Sequence, residues 1–276
     1  MDKPRQGTEP PRILLVDDEE INRQITARIL EIAGYRVDQA EDGLLAVEAA
    51  GRERYDLILM DCRLPGMDGW TAARKIRERE DPELRVPIIA VTAGTGGDDY
   101  ARASDAGMDG VLHKPFEPDE LRAEVKGRLL GSSASGGETG ASAPAPADPE
   151  RERVSRRSAR HSDTDTPVAV SRLIEISGGD AEFMQTLIGI FLNDTERHIA
   201  NLENALRDQN SRTILYEAHA IKGSSGHAGA EAMHSIAGSI ESMGEEGRSE
   251  SIPGAMQDLK AEFRRVRSFL EQVRGE

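Results

Sequence analysis

The sequence predicts an α/β unit followed by an all-α one: a five-stranded, doubly wound parallel sheet linked to an antiparallel helical bundle. Three observations predict it. Residues 12–130 alternate short apolar runs with amphipathic stretches, five times in series. Residues 131–166 are rich first in Gly, Ser, Ala and Pro and then in arginine. Residues 167–276 hold a helical period and no strand pattern.

The first unit opens on Ile13-Leu14-Leu15-Val16, an apolar run of strand length ending at Asp17-Asp18. Residues 20–33 carry Ile21, Ile25, Ile29 and Ile32 near one helical face, and Gly34 ends that helix. Strands follow at 35–37, 57–60, 87–91 and 110–113, and helices at 43–51, 70–79, 97–106 and 118–130. Five β–α units in series imply a parallel sheet buried on both faces. Working groups of such sheets collect in the crevice at the C-terminal strand ends.

Residues 131–166 read as a flexible linker. Its arginines, from Arg151 to Arg160, read as solvated. As a flexible coil it spans roughly 30–36 Å. Helices are predicted near 168–176, 180–207, 211–225, 229–244 and 252–273. Leu187, Phe191 and Asp194 share one face, as do Ile199, Leu202 and Leu206. Ser177-Gly178-Gly179-Asp180 breaks the pattern and supplies a cap for the next helix. Short connections between such helices make an antiparallel bundle.

A formal net charge of −15 argues against contact with nucleic acid phosphates or an anionic membrane surface. The single cysteine, Cys62, excludes an intramolecular disulfide and a cysteine-based zinc site, and points to a reducing compartment. No run approaches the length of a membrane span, and the first eleven residues lack the apolar core of a signal peptide. The expectation is a soluble cytoplasmic protein with no nucleic acid partner and no membrane insertion.

Two groups of residues carry chemistry. Asp17, Asp18 and Asp61 fall at strand ends of one sheet edge, with Thr92 and Lys114 from later strands. Clustered carboxylates repel unless a cation neutralises them. Hard oxygen donors without His or Cys suit Mg²⁺. With a lysine and a hydroxyl nearby, this is a site for a phosphoryl group in transfer. The second group is Ala218-His219-Ala220-Ile221-Lys222-Gly223-Ser224-Ser225. On a helix His219, Lys222 and Gly223 share a face, presenting a nucleophile, a cation and bare backbone together.

Residues 12–130 resemble a response-regulator receiver domain, a flavodoxin-like fold. Val16-Asp17-Asp18-Glu19, Leu59-Met60-Asp61, Leu64-Pro65-Gly66-Met67-Asp68-Gly69, Val91-Thr92-Ala93 and Lys114-Pro115-Phe116 match in order and spacing. The resemblance implies that Asp61 accepts the phosphoryl group. It implies that Asp17, Asp18, Asp61 and the main-chain carbonyl of Arg63 bind Mg²⁺, and that Thr92 and Lys114 hold phosphoryl oxygens. It also implies a cis Lys114–Pro115 peptide. One position departs: Val111 stands three residues before the lysine, where receivers commonly carry an aromatic switch. A receiver of this kind passes phosphate on more than it signals by shape.

Residues 167–276 resemble a histidine-containing phosphotransfer (HPt) domain, on the 218–225 motif and the following Gly229-Ala230. The resemblance implies that His219 accepts and donates the phosphoryl group. Lys222 would steady its charge, and Gly223 would give clearance for a docking receiver. Residues 226–228 depart from the usual pattern, and looser packing is expected there. His227 reads as a surface or loop histidine, and His198 and His234 as solvated helix positions.

The function implied is a phosphorelay intermediate, carrying phosphoryl groups between a sensor histidine kinase and another response regulator. It is not itself an enzyme: neither a Walker A loop nor the glycine-rich boxes of a histidine kinase occur. The alternative is regulatory, with phosphorylation of Asp61 gating access to His219 without direct transfer. A haloacid-dehalogenase-type phosphatase needs a second aspartate two positions after the nucleophile, where Arg63 stands. Gly178-Gly179-Asp180-Ala181-Glu182-Phe183 superficially resembles a diguanylate cyclase signature, but its inserted alanine and all-helical surroundings argue against one.

Overall fold

The computed structural model describes residues 9–92, 98–132 and 166–275. The first unit has strands β1 (Arg12–Val16), β2 (Arg36–Ala40), β3 (Leu57–Asp61), β4 (Ile88–Thr92) and β5 (Gly110–His113). Helices α1 (Glu20–Ile32), α2 (Gly43–Arg52), α3 (Gly69–Arg79), α4 (Asp98–Asp105) and α5 (Pro118–Ser132) alternate with them. All strand pairs are parallel, in the order β2-β1-β3-β4-β5. β3 and β4 are buried along their whole length, as a sheet covered on both faces requires. The Asp42 and Asp68 carboxylates cap α2 and α3, each accepting an N–H three residues on at 2.7 Å. α1 ends at Ile32, one residue before the predicted end, and Ile32 lies exposed. The predicted linker falls almost entirely outside the described residues, apart from residues 131 and 132, which end α5, and residue 166.

The second unit contains α6 (Val170–Ser177), α7 (Ala181–Arg207), α8 (Ser211–Ala228), α9 (Glu231–Glu245) and α10 (Ile252–Arg274). Asp180 caps α7, accepting from Phe183 N at 3.1 Å as its position predicts. α8 runs three residues further than its sequence pattern indicates, and Gly229 ends it in the left-handed conformation. Among the described residues no helix is long and apolar enough to cross a membrane.

The sheet separates two apolar clusters. One, under α2, α3 and α4, contains Leu14, Val16, Ile58, Met60, Ile88 and Ala90. The other does not stop at the domain edge. It runs from Ile13, Leu59 and Ile89 through Ile21, Ile25 and Phe116 into Val168, Leu173, Leu187, Phe191 and Ile221 of the bundle. α1 packs against α6, α7 and α8, so the bundle sits on the α1 side of the sheet, over its C-terminal edge. Arg28 of α1 reinforces this seam by pairing with Asp180 at 3.1 Å and lying over the Phe183 ring.

Candidate phosphoryl-transfer site

β1 and β3 are neighbours: the chain steps from β1 to β2 on one side and then crosses back past β1 to β3 on the other. Such a switch point opens a crevice at the strand ends. Asp17, Asp61, Thr92 and Lys114 are buried in it. The Lys114 ammonium donates to Asp17 Oδ2 at 2.5 Å and also to Asp61 Oδ2. Asp61 Oδ1 accepts the Arg63 N–H at 2.7 Å, and Asp17 Oδ1 accepts the Glu19 N–H at 3.0 Å. The Lys114–Pro115 peptide is cis. The Thr92 hydroxyl donates to Asp99 Oδ2 at 3.2 Å. Gly69 closes the wall: a Cβ there would lie 2.0 Å from the Asp61 carbonyl oxygen, so no other residue fits without moving the backbone.

Asp17, Asp18 and Asp61 each offer a carboxylate oxygen, and these lie within 4.8 Å of one another. Burial pushes the Asp17 carboxyl up; Lys114 opposes the shift, and Asp61 and Asp18 add to it. Asp18 is pushed up to about 6, mainly by burial. Burial alone would lower the Lys114 ammonium, but the two aspartates outweigh it. One lysine faces three carboxylates, and a divalent cation bound through oxygen would relieve that excess of negative charge. The donor set therefore fits Mg²⁺.

The bundle closes over this crevice. Tyr216, His219, Ala220 and Gly223 of α8 face Asp18, Asn22, Asp61, Arg63 and Lys114 across one narrow cleft. Their spacing of three, one and three residues is the face of a single helix. His219 Nδ1 lies 2.7 Å from Glu241 Oε1, and Lys222 Nζ donates to Glu241 Oε2 at 3.0 Å. Arg63 reaches across from the sheet unit to the same Glu241 at 2.8 Å. Burial would raise the Glu241 carboxyl, but His219 and Lys222 outweigh it and hold it at about 2. An ionised carboxylate only accepts, so His219 Nδ1 carries a proton, and in the neutral ring the nitrogen with the free lone pair is Nε2. Sequence reasoning missed Glu241. Its signal is present: with Met233 and Ala237 it falls on the buried stripe of α9, where a carboxylate calls for a partner.

Two of the three histidines expected to be exposed are buried. His198 is 4% exposed, with Nδ1 2.6 Å from Glu217 and Nε2 2.9 Å from Glu19. His227 is 1% exposed; its Nδ1 lies 2.9 Å from Asn22 Oδ1, and its ring packs on Phe116 at 4.9 Å. The looser packing expected at residues 226–228 is therefore absent, because the imidazole fills the seam between the units. His234 is half-buried, with Nδ1 2.9 Å from the Lys222 carbonyl oxygen. Gly223 lines the cleft, where a Cβ would sit in ordinary contact 3.6 Å from Asn22. The tighter approach is at Gly226, where a Cβ would lie 2.9 Å from His234 Nδ1 and 3.2 Å from Pro115 Cβ. Val111 packs against the α2–α4 cluster. Tyr100 of α4 meets the His113 ring edge-on at 5.9 Å.

Residues 13–126 match the model of the response regulator receiver domain, and residues 186–275 match the model of the Hpt domain. The chain is 26% identical over 271 residues to virulence sensor protein BvgS of Bordetella bronchiseptica, covering 95% of this chain and 21% of that protein. It is 38% identical over 120 residues to hybrid signal transduction histidine kinase L of Dictyostelium discoideum, covering 42% of this chain and 7% of that protein. The chain thus spans less than a quarter of either relative. Among solved structures, the receiver domain of sensor histidine kinase PA1611 from Pseudomonas aeruginosa, described with magnesium coordinated in its active-site cleft, is 44% identical. That match covers 44% of this chain and 98% of that one, with a TM-score of 0.41.

Proposed function

Because this chain belongs to the receiver family over residues 13–126 and to the Hpt family over residues 186–275, we propose that it relays phosphoryl groups between Asp61 and His219. One observation carries this reading. Asp61 and His219 line the same cleft, with Nδ1 of His219 turned to Glu241 and Nε2 left as the nucleophile.

In the transfer step the Nε2 lone pair forms the N–P bond as the P–O bond to Asp61 breaks. The bonding pair returns to the Asp61 carboxylate, where Lys114 and the Arg63 N–H receive it. Glu241 keeps the Nδ1 proton in place and balances the charge gained by the ring. Lys222 donates to Glu241 at 3.0 Å and so acts on the ring through that carboxylate. Mg²⁺ held by Asp17, Asp18, Asp61 and the Arg63 carbonyl would neutralise phosphoryl oxygens during the exchange. The reverse step uses the same groups.

The chain acts in this reading as a carrier and not a kinase, taking its phosphoryl group from a sensor histidine kinase and passing it to another receiver domain. It works in the cytoplasm, where its lone cysteine stays a thiol. A second reading is favoured by one feature: the His219 side chain is only 14% exposed in the docked arrangement. A foreign receiver cannot reach it until the bundle lifts, so docking also gates access.

The test is to load the protein with a small phosphodonor and assay the bound phosphate. Relay predicts acid-labile, alkali-stable phosphate in wild type, none in His219→Gln, and no labelling of either site in Asp61→Asn. Phosphate confined to Asp61 in wild type would leave gating alone.

A further inference from the structure

His198 takes no part in the chemistry above, yet it is a buried imidazole between two carboxylates from different domains. Glu217 belongs to its own bundle, on α8, and Glu19 to the loop between β1 and α1. Both ring nitrogens face carboxylate oxygens, at 2.6 and 2.9 Å. A carboxylate accepts, so an imidazole protonated on both nitrogens satisfies the two contacts at once. Burial would lower its pKa, but Glu19 and Glu217 outweigh it and raise it to about 9. Arg197 approaches Nε2 at 3.4 Å.

The neighbours of this cluster give it a direction. Tyr216, adjacent to Glu217, donates its hydroxyl to Asp18 Oδ2 at 2.5 Å. Consecutive residues of α8 therefore grip consecutive residues of the loop, Tyr216 holding Asp18 and Glu217 holding Glu19 through His198. His219 lies three residues after Tyr216 on the same helical face. The grip fixes how far α8 slides along the crevice, and so where His219 stands relative to Asp61.

We propose that His198 is a specificity-determining residue, by which the bundle selects its own receiver through the carboxylate of Glu19. A receiver with an apolar side chain at that position would leave Nε2–H buried and unpaired. One with a basic side chain would bring two buried cations together. Either is strongly unfavourable, because removing or inverting one member of a buried ion cluster leaves charge uncompensated. The proposal goes beyond the relay reading and does not depend on phosphate reaching His219.

The experiment is hydrogen exchange on the full chain in metal-free buffer without phosphodonor, following amides of α1 and α8, with α3 as an internal control. Glu19→Arg and His198→Glu alone should each speed exchange in α1 and α8 by roughly tenfold or more, leaving α3 unchanged. The double variant inverts the pair across the seam with the cluster's net charge unchanged, although the carboxylate now at position 198 also faces Glu217, and should recover part of the protection that the single variants lose. Single variants that exchange like wild type overturn the proposal. So does a double variant no better protected than the singles, since a merely structural histidine would not be rescued by inverting the pair.

Discussion

His219 and Glu241 form a pair in which the carboxylate decides what the imidazole can do. With Nδ1 held 2.7 Å from Glu241 Oε1, the nitrogen left for chemistry is Nε2, on a ring that lines the same cleft as Asp61. Replacing Glu241 by Ala removes that control and frees Arg63 and Lys222 from their shared anchor. A charge-assisted hydrogen bond contributes about 1.5–3 kcal/mol. Glu241→Ala should therefore slow phosphorylation of His219 by roughly tenfold to a hundredfold. Labelling of Asp61 by a small phosphodonor should be unchanged, as read by quench-flow with acid and alkali stability of the product.

Stability should depend on pH through His198. Its folded pKa of about 9 lies above the ordinary imidazole value of 6.5. A raised pKa means that the folded state binds the proton more tightly. The stabilisation is then complete below about 6.5 and is lost as pH rises through about 9. The most it can contribute is about 3 kcal/mol. Chemical denaturation of wild type between these limits should show that loss, and His198→Gln should show a flatter profile.

Two glycines of α8 should respond in opposite ways to the same change. At Gly226 a methyl group meets His234 and Pro115, so Gly226→Ala should destabilise the chain by about 1–3 kcal/mol. At Gly223 a methyl group finds room beside Asn22. Gly223→Ala should be neutral or stabilising by up to about 1 kcal/mol through helix propensity. Equilibrium denaturation in urea measures both.

The acidic crevice should bind Mg²⁺ through oxygen donors alone. Asp17→Asn removes one carboxylate of three and should weaken binding by roughly tenfold or more, read by calorimetric titration. Chelation of the metal should stop labelling of Asp61 in wild type without unfolding the protein, because the apolar clusters on either face of the sheet do not involve the site.

Much of this was legible in the residues. The strands announce themselves because a parallel sheet covered on both faces needs unbroken apolar runs, and Leu57–Asp61 is one. Asp17, Asp61 and Lys114 follow from such strands, since the topology gathers their C-terminal ends. The seam between the units was harder to read. His198 looks solvated on a helix with charged neighbours, and only contact with Glu19, 179 residues away in the chain, buries it. A signal did exist: Leu187, Phe191, Asp194, His198 and Leu202 form one stripe of α7, and all five are buried. A histidine on such a stripe calls for a polar partner. His227 is hidden from the sequence for a related reason. The pattern of α8 does not show that Phe116 and Asn22 of the other unit wait beside it.

The central claim is that the bundle rests on its own receiver with His219 facing Asp61. The most direct measurement is the initial rate of phosphohistidine formation after Asp61 is loaded, followed over a hundredfold range of protein concentration. Transfer within one chain predicts a first-order rate constant independent of concentration, and no phosphohistidine when His219→Gln chains loaded at Asp61 are mixed at low concentration with Asp61→Asn chains. A rate constant that rises in proportion to concentration, with the two variants complementing each other as efficiently as wild type reacts alone, would contradict it.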